Sequence, residues 1–191
     1  MKVLVINTGS SSIKYQLYEI PGAKVLAKGI VEKIAPPVSD RRNQIQPASG
    51  GEISKLTHLY DGKTYSVEQM LQGHERAMEL ILNTLVSKDV GVINSISEIA
   101  AVGHRVVHGG EEFTGSVVID DRVISSIEKF VDLAPLHNPA NLIGIRAAQR
   151  HLPDAKQVAC FDTAFHTTIP KVAYLYALPY EFYEKYRIRR Y

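Results

Sequence analysis

The stretch "VLVINTGSSSIKYQLYEI", Val3 to Ile20, decides the fold. Its first four residues are apolar and predict a central strand, Lys2–Asn7, with both faces buried. After a loop of small residues, apolar and polar residues alternate from Ile13 to Glu19, which is typical of a second strand. A third strand is expected at Lys24–Val31, after the turn at Pro21-Gly22. The sequence therefore predicts an antiparallel meander of three strands at its start.

The rest of the chain predicts a mixture of strands and helices. Pro36–Gly51 is rich in Pro, Ser, Asn and Gly and predicts an exposed loop, and Asp61-Gly62 predicts a hairpin turn between two further strands. The expected hairpin strands are Ile53–Leu59 and Thr64–Val67, and the expected later strands are Ile99–Val107, Val117–Ile119 and Gln157–Phe161. Helices are expected over His74–Lys88, after Asp120 and from Asn138. In the third helix, Asn138 is expected to be the cap and Pro139 to occupy the first helical position. This order indicates an α/β fold, in which helices cover a sheet.

Composition excludes several classes of protein. The 191 residues carry a net charge of +2, with no basic run of the kind that binds nucleic acid. The apolar run at the N-terminus is far too short for a signal peptide or a membrane span. Cys160 is the single cysteine, which favours a reducing compartment over a disulfide framework. We therefore expect a soluble, cytoplasmic protein without a nucleic-acid or membrane partner.

The small-residue loop from Thr8 to Ser12 has two interpretations. Its backbone N–H groups and hydroxyls could form a concave site for an anion, and Lys14 could add a positive charge. It does not match the P-loop pattern, and a strand follows it rather than a helix. The alternative is a tight turn whose serines bond to their own backbone. Asn7 ends a buried strand with a polar amide, so it should hold either backbone or a ligand, and its oxygen could help to position hydrated Mg²⁺.

The stretch "VGHRVVHGG", Val102 to Gly110, places an arginine in an apolar strand. Arg105 needs an anionic partner there, because a buried guanidinium without one is costly. That partner could be a carboxylate or phosphate ligand, or a structural carboxylate such as Glu111 or Glu112. His104 and His108 are too far apart along a strand to share one metal ion, so hydrogen-bonded structural roles are expected for both.

Two later stretches carry further polar groups. In "LAPLHNPAN", His137 precedes a helix start, where backbone N–H groups favour negative ligands. In "FDTAFH", Asp162 ends an apolar strand, which is where α/β sheets present functional residues, although Asp162-Thr163 could also be a turn pair. A Ser-His-Asp hydrolase is disfavoured because no serine lies in a G-x-S-x-G turn.

Taken together, these motifs resemble a known family. "VLVINTGSSSIKYQL" resembles the first signature of the acetate kinases, and "VGHRVVHGG" resembles their second. "LAPLHNPANLIGI" and "FDTAFHTTIP" are also similar to that family, in the expected order and spacing. The family belongs to the acetate and sugar kinase, Hsp70 and actin superfamily. The resemblance implies a ribonuclease H-like domain, with a mixed sheet that starts with the three-strand meander and helices packed on it.

The resemblance also implies a reaction and a set of residues. The reaction is reversible transfer of the γ-phosphoryl group of ATP to acetate, with Mg²⁺, giving acetyl phosphate and ADP. Its implied catalytic and metal-binding residues are Asp162, Arg105 and His137, with Asn7 at the metal. Its implied binding residues are Arg105, Val107 and Leu136 for acetate, and Lys14, Ser10 and Ser12 for the ATP phosphates.

Acetate kinases are longer than this chain, so the resemblance implies that residues 1–191 are an N-terminal domain. The nucleotide-binding C-terminal domain and most of the contact of a homodimer would be absent, and the domain alone is expected to be inactive. Its Tyr- and Arg-rich C-terminal segment would then be frayed or paired with another chain. The alternatives are a propionate or butyrate kinase, and a stand-alone binding domain of the same fold.

Overall fold

The computed structural model describes residues 1–36 and 52–191, so the loop predicted over Pro36–Gly51 lies, apart from Pro36, outside the described residues. The described strands are β1 (Lys2–Thr8), β2 (Ile13–Glu19), β3 (Lys24–Glu32), β4 (Ser54–Tyr60), β5 (Lys63–Gln69), β6 (Ile99–Val106), β7 (Val117–Val118) and β8 (Lys156–Phe161). The described α-helices are α1 (Gly73–Leu85), α2 (Asp121–Lys129), α3 (Asn138–His151), α4 (Lys171–Tyr174) and α5 (Tyr180–Tyr186). Each predicted strand and helix outside that loop is present, with ends shifted by a few residues.

All eight described strands form one sheet in the order β5-β4-β3-β2-β1-β6-β8-β7. Strands β1 to β5 pair antiparallel, each with the next, so the predicted meander is longer than three strands. Strands β1, β6 and β8 are parallel, and β7 is antiparallel to β8. The predicted mixed α/β sheet that starts with a meander is confirmed.

The turn between β4 and β5 has the backbone that its sequence requires. Asp61 and Gly62 both have positive φ, 45° and 70°. Two successive residues with positive φ suit the right-handed twist of a two-residue hairpin, and Asp-Gly is a preferred pair there. This turn adds two strands to the meander at its outer edge.

The core lies on one face of the sheet. Leu4 and Ile6 of β1 point to this face and are buried under α1 and α3. Val5 points to the other face and is 40% exposed, so the prediction that β1 is buried on both faces is wrong for this chain. Within the described residues the helices leave that second face open. None of the helices in residues 1–36 and 52–191 is both long and apolar enough to cross a membrane.

Helix α3 lies so close to β1 that only glycine fits at one position. A Cβ atom added at Gly144 would lie 2.1 Å from Oγ1 of Thr8, which is buried. We expect Gly144→Ala to lower the free energy of unfolding by about 1–3 kcal/mol, because the helix must move away from the strand. Gly115→Ala is the matched control, since its added Cβ meets no atom within 4 Å. Urea unfolding of both variants measures the difference, and equal stability would contradict this packing.

Buried histidines make the stability of the fold depend on pH. His104 lies in the core, where its Nε2 and Oε1 of Gln157 are 2.8 Å apart. Burial lowers the pKa of His104 from 6.5 to about 4, because the charged ring is poorly solvated there. Below its usual pKa the unfolded chain therefore binds a proton at this residue more readily than the folded chain does.

We expect the free energy of unfolding to fall as the pH drops from about 6.5 towards 4, by up to about 1.4 kcal/mol per pH unit for one histidine. His104→Gln cannot bind this proton and should show a flatter dependence. The free energy of unfolding of the variant should still depend on pH to some extent, because burial also lowers the pKa values of His58, His74 and His108. Denaturant titrations between pH 7.5 and 4.5 test this, and identical slopes for the two proteins would contradict it.

Candidate active site

Four polar side chains form a row across the open face of the sheet. Asn7 pairs with Lys14 in the β1–β2 register, and Arg105 pairs with Cys160 in the β6–β8 register. Asn7 and Arg105 each directly follow a residue of the pair Ile6–His104, so they are neighbours on β1 and β6. Adjacent strands lie about 4.8 Å apart. The residues of this polar row are Lys14, Asn7, Arg105 and Cys160, in that order.

Arg105 is held by Asp162 through two atoms of its guanidinium. Its Nε donates to both carboxylate oxygens at 3.0 and 3.1 Å, and its Nη2 donates to Oδ2 at 2.8 Å. Asp162 directly follows β8 and begins a short 3-10 helix, Asp162–His166, so the chain places the carboxylate at the end of the strand beside β6. The hydrogen bond that Arg105 donates to Asp162 raises the pKa of Arg105, which keeps its charge fixed.

This geometry corrects the sequence-based picture of Arg105. Its side chain is 52% exposed and that of Asp162 is 39% exposed, so the guanidinium is not buried. Its partner is neither Glu111 nor Glu112. Glu111 pairs with Arg189, and Glu112 pairs with Lys129. An exposed pair of this kind adds only about 0–1 kcal/mol to stability, which indicates a purpose other than holding the fold.

The guanidinium of Arg105 keeps donors free for a second anion. Asp162 uses Nε and Nη2, and Nη1 donates no hydrogen bond within residues 1–36 and 52–191. An arginine has five N–H donors and can hold a carboxylate on one edge while it presents another edge. The edge formed by Nη1 and Nη2 can therefore bind a carboxylate or a phosphoryl group.

The loop between β1 and β2 is a tight turn whose carbonyl groups are tied to the protein. The Gly9 N–H donates to the Ser12 carbonyl at 2.8 Å, and the Ile34 N–H donates to the Ser11 carbonyl at 2.9 Å. Nε2 of His74 lies 2.7 Å from the Gly9 carbonyl. Among the described residues, the N–H groups of Ser10 and Ser12 have no acceptor. The loop is thus a tight turn closed by backbone bonds, and its role as an anion site stays a prediction.

Two buried amides of α3 were not predicted as part of the site. Asn141 donates to the Thr8 carbonyl at 2.9 Å and accepts from the Val107 N–H at 3.1 Å, so it joins the ends of β1 and β6. Asn138 bonds to both backbone groups of His108. The signal was present in the sequence, because two asparagines three positions apart lie on one face of a helix.

The helix cap predicted at Asn138 is wrong. His137 is the N-cap residue, without a side-chain cap bond, and Asn138 is the first residue of the helix. The amide of Asn138 is turned inward to the loop after β6, where it satisfies buried backbone groups that water cannot reach.

The residues predicted around the methyl group of a substrate are only partly enclosed. Val107 is half-buried, His137 is exposed, and Leu136 is 78% exposed. None of these three side chains is therefore buried within the described residues. The predicted hydrogen-bonded histidines are present, since the Gly110 N–H donates to Nδ1 of His108 at 3.1 Å and His104 contacts Gln157.

The donor set at the polar row suits a metal ion that is bound chiefly by a substrate. Within the described parts of the chain, no group of three or more His, Cys, Asp or Glu residues could hold a metal. Asn7 offers an amide oxygen and Asp162 a carboxylate. Mg²⁺ in phosphoryl-transfer sites typically takes one or two carboxylates and completes its shell with phosphates and water. The residues present fit such an ion.

The end of the C-terminal segment packs on the loop after β6 rather than fraying, and its pairing with another chain stays a prediction. Arg189 forms an ion pair with Glu111 and stacks 3.6 Å from the centre of the Tyr174 ring. Tyr191 meets the ring of His108 edge-on, with 4.4 Å between ring centres. Within this chain, the segment borders the site on the side of Gly110 and Glu111.

Comparison with known proteins finds similarity to the acetokinase family and to acetate and propionate kinases. The model of the acetokinase family matches residues 2–191. The acetate kinase of Thermotoga petrophila is 57% identical over 191 residues, which are all of this chain and 44% of that protein. The crystal structure of Porphyromonas gingivalis acetate kinase matches this chain with a TM-score of 0.88 and 46% sequence identity. The crystal structure of a propionate kinase from Francisella tularensis matches it with a TM-score of 0.85 and 35% sequence identity. Each comparison covers this whole chain and 44% of the other.

Proposed function

The chain belongs to the acetokinase family, and we propose that it is the N-terminal domain of a kinase that transfers the γ-phosphoryl group of ATP to acetate. The products are acetyl phosphate and ADP, and the reaction is reversible. The chain spans less than half the length of the relatives that it matches. The proposal assigns the nucleotide-binding part and most of a homodimer contact to the remaining half.

The observation that supports this proposal most is the pair of Arg105 and Asp162 within the polar row. Acetate is already a carboxylate at neutral pH and needs no base to become a nucleophile. The barrier is electrostatic, because acetate must approach a phosphate chain that is itself negative. A guanidinium with a free edge lies in one row with an exposed lysine, and the loop that follows β1 has free backbone N–H groups. Together they supply the positive charge that this approach needs.

Each residue has a task in this scheme. Arg105 binds the acetate carboxylate through its free edge. It then binds the phosphoryl group while that group moves in line from the leaving oxygen of ADP to the attacking oxygen of acetate. Asp162 holds the guanidinium in the plane that presents this edge. Lys14 and the N–H and hydroxyl groups of Ser10 and Ser12 face the ATP phosphates. Strand pairing fixes the positions of Asn7, Lys14 and Arg105 before any substrate binds.

Mg²⁺ would be held by the ATP phosphates and water, with the Asn7 amide oxygen and the Asp162 carboxylate as its protein contacts. When bound, it would neutralise the charge that develops on the phosphate oxygens. Asn7 lies near the C-terminal end of β1 and Asp162 directly follows β8, with β6 between the two strands, so the proposal directs both towards the same phosphate group.

The acyl substrate is proposed from the family. Val107 and Leu136 would contact the methyl group, and His137 would border it at the start of α3. A propionate kinase is the second candidate, because the Francisella protein shares the fold. Comparing kcat/KM for acetate, propionate and butyrate in the full-length protein tests this choice. One added methylene changes such ratios by about 10–200-fold, and higher values for propionate would favour the second candidate.

The experiment that tests the proposed function compares the 191-residue chain with the full-length protein that contains it. Acetyl phosphate is trapped with hydroxylamine and measured with ATP, Mg²⁺ and acetate present. We expect turnover only in the full-length protein, because the domain alone presents half of the phosphate site. Absence of turnover in the full-length protein would instead favour a binding domain of the same fold. ATP as substrate and the free thiol of Cys160 favour a cytoplasmic enzyme.

A further inference from the structure

The loop from Thr8 to Ser12 is fixed by bonds to nearly every one of its carbonyl groups. The Thr8 carbonyl accepts from Asn141, the Gly9 carbonyl faces His74, and the Ser11 and Ser12 carbonyls accept from backbone N–H groups. In a planar trans peptide the C=O and the following N–H point in opposite directions. The Gly9 and Ser11 carbonyls are held in this way, and the N–H groups that follow them, those of Ser10 and Ser12, have no acceptor among the described residues.

His74 controls the peptide unit that joins Gly9 to Ser10. It lies in the first turn of α1, is buried, and its Nε2 is 2.7 Å from the Gly9 carbonyl. A carbonyl oxygen only accepts hydrogen bonds, so Nε2 carries the proton and donates it. Burial lowers the pKa of His74, which favours the neutral ring with its single N–H in this bond.

We propose that His74 is a positioning residue for phosphate binding: its bond to the Gly9 carbonyl aims the Ser10 N–H at the phosphate of the nucleotide. This inference rests on the proposed function, because it takes the loop between β1 and β2 as the phosphate-binding element. His74 acts through the loop and does not touch the substrate. Without this bond the Gly9–Ser10 peptide can rotate, and the N–H no longer points at the ligand in every molecule.

His58 provides a matched control for the loss of a buried histidine. Like His74, it is buried and has a lowered pKa, and its Nε2 lies 3.1 Å from a backbone carbonyl, that of Val90. Its other ring nitrogen contacts the hydroxyl of Tyr15 at 2.6 Å. Losing either histidine should destabilise the fold, but only His74 contacts the loop.

The conservative variant is His74→Gln. The glutamine amide carries its N–H the same number of bonds from Cβ as Nε2 of histidine, so it can donate to the Gly9 carbonyl. His74→Ala removes the bond. If His74 served the fold alone, the loss of activity in both variants would follow their loss of stability. Binding of the nucleotide would then not be weakened more than binding of acetate.

The experiment measures KM for ATP, KM for acetate, kcat and the dissociation constant of ADP in the full-length protein and in His74→Ala, His74→Gln and His58→Ala. We expect His74→Ala to raise KM for ATP and the ADP dissociation constant by about 3–10-fold, the worth of one lost hydrogen bond. KM for acetate should change by less than about twofold, since acetate does not meet this loop. His74→Gln should restore nucleotide binding, and His58→Ala should lower the melting temperature alone.

Unchanged ADP affinity in His74→Ala would overturn the proposal, and so would an equal loss of affinity in His58→Ala. A His74→Gln variant that binds ADP as weakly as His74→Ala would also overturn it. If the full-length protein fails to phosphorylate acetate, the proposed function fails. The ADP affinities of the variants still decide the role of His74 in that case.

Discussion

Replacing Arg105 by alanine is expected to lower kcat of the full-length protein by about 10³-fold or more, the effect of losing an arginine that neutralises a transferring phosphoryl group. Stability should barely change, because the Arg105–Asp162 pair is largely exposed. Turnover is measured by trapping acetyl phosphate, and stability by urea unfolding. Activity loss without unfolding would separate the role of this arginine in catalysis from a role in the fold.

Two further variants sharpen this prediction. Arg105→Lys should recover little activity, because an ammonium group cannot hold Asp162 and a substrate carboxylate with a planar fork. Arg146→Ala removes an arginine of similar exposure that pairs with Glu128 on the outside of the domain, and it should retain full activity. Near-normal turnover in Arg105→Ala would remove the basis for the proposed site.

Asp162→Asn is expected to lower kcat by about 10²–10³-fold, with the fold intact. The amide keeps the shape of the side chain but loses its charge and one acceptor, so it no longer fixes the guanidinium through Nε and Nη2. Glu112→Gln is the matched control, because this carboxylate pairs with Lys129 and Ser126 away from the polar row. Turnover and thermal melting of the two variants are compared with the unchanged protein. An Asp162→Asn variant with the turnover of Glu112→Gln would contradict the prediction.

Combining the two changes identifies how Asp162 acts. If its main task is to orient Arg105, the double variant Arg105→Ala/Asp162→Asn should be no slower than Arg105→Ala alone. Residues that work as a unit are strongly non-additive in this way. If instead the fold-losses in kcat of the two single variants multiply in the double variant, Asp162 makes a separate contact with Mg²⁺ or the phosphoryl group.

The strands of the fold could be predicted because each carries its own pattern. The local signals are the apolar run before Asn7, the alternation after Ser12 and the Asp61-Gly62 turn. Such signals can be read from the sequence without knowing which strand pairs with which. The extent of the meander could not be predicted, since pairing of β3 with β4 joins residues far apart in the chain. Burial of β1 on both faces was predicted wrongly, because an apolar strand does not show which of its faces a helix covers.

The sequence named candidate site residues but could not give their contacts. The sequence singled out Asn7, Lys14, Arg105 and Asp162, and the registers of two strand pairs bring the first three into one row. The partner of Arg105 lies 57 positions away, while Glu111 and Glu112 are close in sequence and were the natural expectation. The bridging amide of Asn141 was missed for the same reason, because it bonds to residues of two strands.

The most direct test of the central claim is a crystal structure of the full-length protein with acetyl phosphate bound. The account predicts the phosphoryl group within about 3 Å of the free edge of Arg105, above the polar row, with Asp162 still holding Nε. A phosphoryl group bound elsewhere, with no contact to Arg105 or to the row, would contradict it.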